Sequence, residues 1–357
     1  MKRVTIKDVA TLAGVAPSTV SFVLNNAQNQ SIPESTRKKI YDAAKELEYH
    51  PSYLAANMKN KQSKTIGIVS SYNVYSLYFA DMLAGIISVA EKEGYGVLIC
   101  ESSRASYYSG TYERYFKSGR IDGVLFLSSA HSEGDSKEDE YIKSFEANDI
   151  PFVTVYGYTM HPGRWYVNMD FFQCGYEACQ KLLSAGCRKL LYLAPLDKNG
   201  IDKFTPKTEL DKILGCETAI HDFDKSAAID IRYFPRDFKQ LNEDCMNFIG
   251  KAAKELGYDG FIACWATFGM QLLNIFNVMS VNVPNDAKVI SLDSLPYLEY
   301  AYPGLSSMQL PFFEIAQTGT ETLIHNRLKK KKGGSEIERM IRIPCKFISR
   351  ESTGILD

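Results

Sequence analysis

Between Pro17 and Asn25 the chain sets three hydroxyls (Ser18, Thr19, Ser21), one carboxamide (Asn25) and one aromatic ring (Phe22) within nine residues. These groups suit recognition better than catalysis: hydroxyls and amides hold phosphates and base edges, and a ring packs on a thymine methyl group. Thr5 and Thr36 extend the hydroxyl set. The first 64 residues hold ten basic side chains against five acidic ones, about +5, which leaves about −6 on the rest of a 357-residue chain of net charge −1. A basic module on an acidic body is the charge footprint of polyanion binding. Enzyme signatures are missing from the sequence: it has no GxxxxGK, GxGxxG, HExxH or GxSxG. The five histidines are isolated from one another, and the eight cysteines form no CxxC pair. They read as small buried hydrophobes in a reducing compartment, so neither metal nor cofactor is expected.

Three short helices must carry those head residues. Ile6, Val9, Ala10 and Ala13 fall at helical spacing on one apolar face. Gly14 ends that helix where a left-handed residue is needed, and Pro17 opens the next, where a missing N–H costs nothing. Val20, Val23 and Leu24 face inward from this second helix. Two helices joined by a tight glycine turn form a helix-turn-helix, whose second helix fits the major groove. Ala16 stands where a serine or threonine would cap that helix, a loss of about 0.5–2 kcal/mol. A third helix opens at Pro33-Glu34, with Ile40, Ala43, Ala44 and Leu47 as its buried stripe. Pro51 then permits a short helix with Leu54 and Met58 on one face.

The run Val4-Thr5-Ile6-Lys7-Asp8-Val9-Ala10, with Gly14-Val15, Ser18-Thr19-Val20-Ser21, Val23-Leu24-Asn25, Thr36-Arg37 and Tyr49-His50-Pro51, resembles the head of the lac/galactose repressor family. That resemblance implies a transcriptional regulator, most simply a repressor, bound to double-stranded operator DNA as a homodimer. Pro17, Ser18 and Phe22 match the family's base-reading positions. Leu54, Ala55 and Met58 match its connecting helix, which pushes an apolar wedge into the minor groove; methionine is an accepted wedge. Phe22 can neither donate nor accept a hydrogen bond, so contact with a thymine methyl group is its expected role.

From Thr65 onward strands and helices alternate, from Ile66–Val69 and Leu77–Glu93 through Val289–Leu292. Such repetition predicts parallel sheets covered by helices on both faces. The body is similar to the two-lobed periplasmic-binding-protein fold that the family uses for effectors. The expected class is therefore α/β, a helix-turn-helix head over 1–50, a hinge helix and linker over 51–64, and two lobes. Lobe one takes 65–166 and 295–331; lobe two takes 168–293 and 335–357. The three crossings are placed at Val167–Asp170, Leu292–Leu295 and Lys331–Glu336.

Ligands of two-lobed α/β proteins bind at strand C-terminal ends. The resemblance places the aromatic pair Tyr78-Phe79 and the acid Asp293 in that cleft, and Trp265 follows another strand end, where it could stack on a ring. Two departures stand out. Lys212 replaces the family's arginine and lacks its bidentate fork. Ala266 replaces an Asn or Asp and offers no polar side chain. A sugar-like or nucleoside-like effector is expected, less polar and ring-bearing. The alternative is a body that answers to a protein partner and has lost its small-molecule site. No apolar run is long enough to span a membrane, so a cytoplasmic protein is expected. No leucine heptads follow the last strand, which argues against a tetramer.

Overall fold

A computed structural model describes residues 4–24, 32–49, 62–71, 76–102, 110–128, 136–156, 164–196, 207–223, 226–235, 243–328 and 340–355. Asn25, Leu54, Ala55 and Met58, and with them the expected hinge helix, lie outside the described residues.

The head is three helices, α1 (Ile6–Ala13), α2 (Pro17–Leu24) and α3 (Glu34–Glu46). Gly14 takes φ 67° and ψ 36°, the left-handed turn that lets α2 start three residues later. Val9, Ala10, Val20, Val23, Ile40 and Ala43 form its core, flanked by Ile6, Ala13, Leu24, Ala44 and Leu47. A core this small suffices for a module of about fifty residues, though with little reserve.

The body's first sheet holds β1 (Thr65–Ser70), β2 (Gly96–Ser102), β3 (Gly123–Leu127), β4 (Phe152–Val155), β5 (Tyr166–Met169) and β11 (Met340–Ile343). Its order is β11-β5-β4-β3-β1-β2, parallel throughout. The second holds β6 (Lys189–Pro195), β7 (Ala228–Phe234), β8 (Gly260–Ala263), β9 (Lys288–Ser291), β10 (Ser306–Gln309) and β12 (Lys346–Ile348). Its order is β12-β10-β9-β8-β6-β7, with β12 alone antiparallel, at the edge. Alternate residues of β3 serve opposite faces: Leu125 and Leu127 join the large core, whereas Val124 and Phe126 pack beneath Phe145 and Ile142.

Helices α4 (Leu77–Glu93), α5 (Thr111–Lys117), α6 (Ser136–Ala147) and α11 (Phe312–Thr322) accompany the first sheet. Helices α7 (Phe171–Ser184), α8 (Lys207–Phe223), α9 (Glu243–Lys254) and α10 (Ala266–Val278) accompany the second. The chain leaves the first sheet at Asp170, within the expected crossing. Its return lies at Leu310–Pro311 and not at Leu292–Leu295, because β10 pairs with β9 in the second sheet. Its last passage lies at Pro344–Cys345 and not at Lys331–Glu336, because β11 pairs with β5 in the first. Strands of four residues with sequences such as Ser-Ser-Met-Gln carry no apolar run by which to foresee them.

Candidate functional site

Two regions gather the expected residues, the exposed side of α2 and the ends of the strands between the lobes. On the head, the Asp8 carboxylate accepts hydrogen bonds from the Thr5 backbone N–H and hydroxyl, each at 2.7 Å. This bond holds Thr5 at the start of α1. The Ala16 carbonyl accepts from the N–H of Thr19 at 2.9 Å and of Val20 at 3.2 Å, so Ala16 does stand at the cap position of α2. Pro17 and Ser18 are exposed, Thr19, Ser21 and Phe22 half-buried, and Thr36 of α3 half-buried. Ser18, Ser21 and Phe22 stand at i, i+3 and i+4, one face of α2, while Val20 and Val23 anchor the other in the core.

Between the lobes, Asp293 follows β9 and is only 5% exposed. The Tyr78 hydroxyl, from the first turn of α4, donates to its Oδ2 at 2.8 Å. Its Oδ1 accepts from the Ser291 hydroxyl at 3.2 Å and from the Ala266 backbone N–H. The last bond revises the reading of Ala266. Its side chain has nothing to offer, but its amide opens α10, and a carboxylate on a helix N-terminus is favoured by charge and by free donors together. The Tyr78 ring stacks on Phe312 with centroids 4.4 Å apart, and Tyr156 leans on both Phe312 and Phe171. Phe79, by contrast, is 3% exposed and packs in the apolar core. The aromatic pair is therefore split, because successive helical residues point about 100° apart. Trp265 lies at the start of α10, half-buried, with its ring 5.5 Å from Phe268.

Lys212 of α8 is buried and pairs with Glu209 at 3.4 Å, its ammonium 5.8 Å from the Phe171 ring. Glu209 in turn accepts from the buried Tyr192 hydroxyl. Burial pushes the Lys212 pKa down, but Glu209 and neighbouring groups outweigh it and leave the amine above its ordinary value, hence charged. Burial raises Tyr78, and Asp293 beside it raises it further, so the phenol stays a donor. Burial also raises Asp293, against the pull of Lys212 and the three donors. Buried charges of this kind are tolerated only when paired and hydrogen-bonded. Sequence reading missed Phe312, Tyr156, Phe171, Glu209 and Ser291. Glu209 alone left a signal, three residues before Lys212 on a helix. The arrangement can grip a hydroxyl or amine against aromatic walls. Among the described residues no group of His, Cys, Asp or Glu is placed to hold a metal ion.

Residues 5–52 match the family model described as bacterial regulatory proteins, lacI family. Residues 63–202 match periplasmic binding proteins and sugar binding domain of LacI family, and residues 179–353 match periplasmic binding protein-like domain. The HTH-type transcriptional regulator RegA of Clostridium saccharobutylicum is 26% identical over 349 residues, covering 98% of each chain. Among solved structures, the lac repressor dimer bound to operator and the anti-inducer ONPF superposes with a TM-score of 0.73 at 18% identity over 99% of each chain. A transcriptional regulator CelR–cellobiose complex gives 0.60 at 21% identity, over 98% of this chain and 100% of that one. At such identities the structural likeness establishes the fold.

Proposed function

Because the chain belongs to the lacI family of bacterial regulatory proteins, and so is a DNA-binding transcriptional regulator and not an enzyme, we propose that it is a cytoplasmic repressor. It binds a near-palindromic operator as a homodimer, under control of a small effector held between its lobes. The operator is read by the exposed start of α2, with Pro17, Ser18 and Phe22 on base edges and Thr5, Thr19, Ser21, Asn25 and Thr36 on phosphates. Leu54, Ala55 and Met58 enter the minor groove.

The observation that carries effector control is the Tyr78 hydroxyl on Asp293, one hydrogen bond spanning the lobes at 2.8 Å. An effector with a ring and a hydroxyl or amine would take the place of Tyr78 on Asp293, with Trp265 and Phe312 as stacking partners and Lys212 charged behind. The neighbouring structures that carry cellobiose or the anti-inducer ONPF support a sugar-like or other ring-bearing ligand. The same bond also favours the second reading, a protein-responsive body, because the carboxylate is already satisfied from within.

Two measurements test this. Full-length protein is offered a random duplex library, and the bound fraction is sequenced. A two-fold sequence with a thymine whose replacement by uracil weakens binding supports the operator and Phe22 assignments, and enrichment of no sequence overturns the first. Thermal unfolding with sugars, nucleosides and amino acids then separates the readings. Dose-dependent stabilisation that disappears in Asp293→Ala supports the effector site; silence across the panel favours the protein-responsive body.

A further inference from the structure

At the end of the first sheet opposite the strand ends that carry the cleft, one carboxylate gathers the chain as it arrives from the head. Asp122, just before β3, accepts from the Ser63 backbone N–H at 2.6 Å, the Ser63 hydroxyl at 2.9 Å and the Lys64 backbone N–H at 2.8 Å. Lys64 is held at φ 50°, a left-handed conformation that an L side chain adopts only when its surroundings impose it. Its carbonyl accepts from the Gly96 N–H at 2.7 Å, and its ammonium lies 4.4 Å from the centre of the Tyr95 ring. The Thr65 carbonyl accepts from the Asp122 N–H at 2.8 Å. Residues 63–65 are thus tied at once to the starts of β1, β2 and β3.

We infer that Asp122 is a positioning residue for operator recognition: it fixes the direction in which the linker leaves the body, and so the separation and rotation of the two heads of the dimer. This rests on the operator reading above. Three donors meet one acceptor-only group, so nothing but a carboxylate satisfies them all; an amide would turn two N–H donors toward one of them. Rigidity there has a geometric consequence. Moving one half-site by a base pair turns it by about 35° around the duplex, and with Ser63-Lys64 anchored to the body that turn cannot be taken up at the point where the linker leaves it. The clamp therefore makes half-site spacing a selected property.

The test compares full-length wild type and Asp122→Asn on the duplex that wild type enriches from the random library, and on duplexes with one base pair added or removed between half-sites. Sheared genomic DNA reports non-specific binding, and thermal unfolding reports folding. Wild type is expected to prefer its own spacing by about tenfold or more, the scale of hydrogen bonds to a charged group. In Asp122→Asn that ratio falls toward unity while non-specific affinity is unchanged. An unchanged ratio, or an equal loss at every spacing, overturns the inference, since plain destabilisation lowers all affinities together. Should Asp122→Asn fail to fold, Ser63→Ala removes the hydroxyl's bond to Asp122 and the one it accepts from the Thr65 N–H, keeps both backbone bonds to Asp122, and must narrow the ratio by a smaller factor; no narrowing overturns the inference as well. If wild type enriches no two-fold sequence, the operator reading fails and takes this inference with it. If it enriches one and the spacing ratio survives both variants, only the inference fails.

Discussion

Burial works against the charged form of Asp293, and that cost has a sign. Burial holds its carboxyl above the ordinary 3.8, although Lys212, Tyr78, Ala266 and Ser291 pull the other way. A carboxyl with a raised folded pKa stabilises fully below the unfolded value and loses that contribution as pH rises through the folded one. An asparagine fits the same bonds without the charge. Its oxygen takes the place of Oδ1, accepting from Ala266 and Ser291, and its amide takes the place of Oδ2, facing a Tyr78 hydroxyl that can rotate to accept. Asp293→Asn should therefore melt above wild type at neutral pH, with the gap closing toward pH 3.8, while effector stabilisation disappears. Thermal scans across that range check it, and a neutral-pH midpoint below wild type would refute it. Such a trade of stability for binding is common at functional sites. The family resemblance, joined for Asp293 by its place after a strand, made Asp293 and Tyr78 legible in the sequence. What Asp293 holds was not legible, because the donors come from Ala266, whose side chain is silent, and from a tyrosine 215 residues away.

At the scale of elements, Lys212 is buried within electrostatic range of Asp293 on a helix, α8, that approaches α7 almost to backbone contact. A Cβ on Gly175 would lie 1.9 Å from the Lys212 carbonyl oxygen, and one on Gly215 would lie 2.1 Å from that of Phe172. Each glycine thus admits the other helix's main chain. Alanine would gain about 1 kcal/mol of helix propensity at position 175. Displacing a rigid carbonyl in a packed core costs about 1–3 kcal/mol or more, so the packing term wins. Gly175→Ala is expected to lower the melting midpoint by several degrees and to weaken effector binding through a shifted Lys212; an equal or higher midpoint in thermal unfolding would rule this out. Long amphipathic helices and the apolar strands β1, β3, β6 and β8 were readable from periodicity. The reciprocal glycines were visible as letters but not as a contact, since sequence does not say which turns of two helices cross. The same limit hid β5, β10, β11 and β12, which have four residues or fewer and are defined by pairing partners far along the chain.

At the scale of the molecule, three adjacent passages at Asp170, Leu310–Pro311 and Pro344–Cys345 join two sheets of the same order, so the lobes can move about one hinge line. The repeat of strand and helix made that two-lobed plan legible; where the chain crosses was not, for the reason the short strands give. The repressor proposed above, on a two-fold operator, must pair such bodies, and α4 offers a face for it. Leu77, Ala80, Ala84 and Ile87 stand at i, i+3, i+7 and i+10 on its exposed side, with Leu77 49% and Ile87 38% accessible. Tyr300 and Tyr302, which follow Asp293 in the second lobe, are 80% and 98% accessible. Apolar side chains aligned along a helix and left to water are the composition of an interface core, and small alanines between them allow close approach. Ala84→Arg puts a charge in the middle of that stripe without touching the buried face of α4. Sedimentation should show the wild-type chain as a dimer and Ala84→Arg as a monomer, with an unchanged melting profile at low protein concentration. Loss of the second head removes an effective concentration worth about 10²–10⁴ in affinity, so binding to the selected operator should fall by that order while non-specific binding per head is kept. A variant that remains dimeric with full operator affinity would mean that α4 is not where two copies meet.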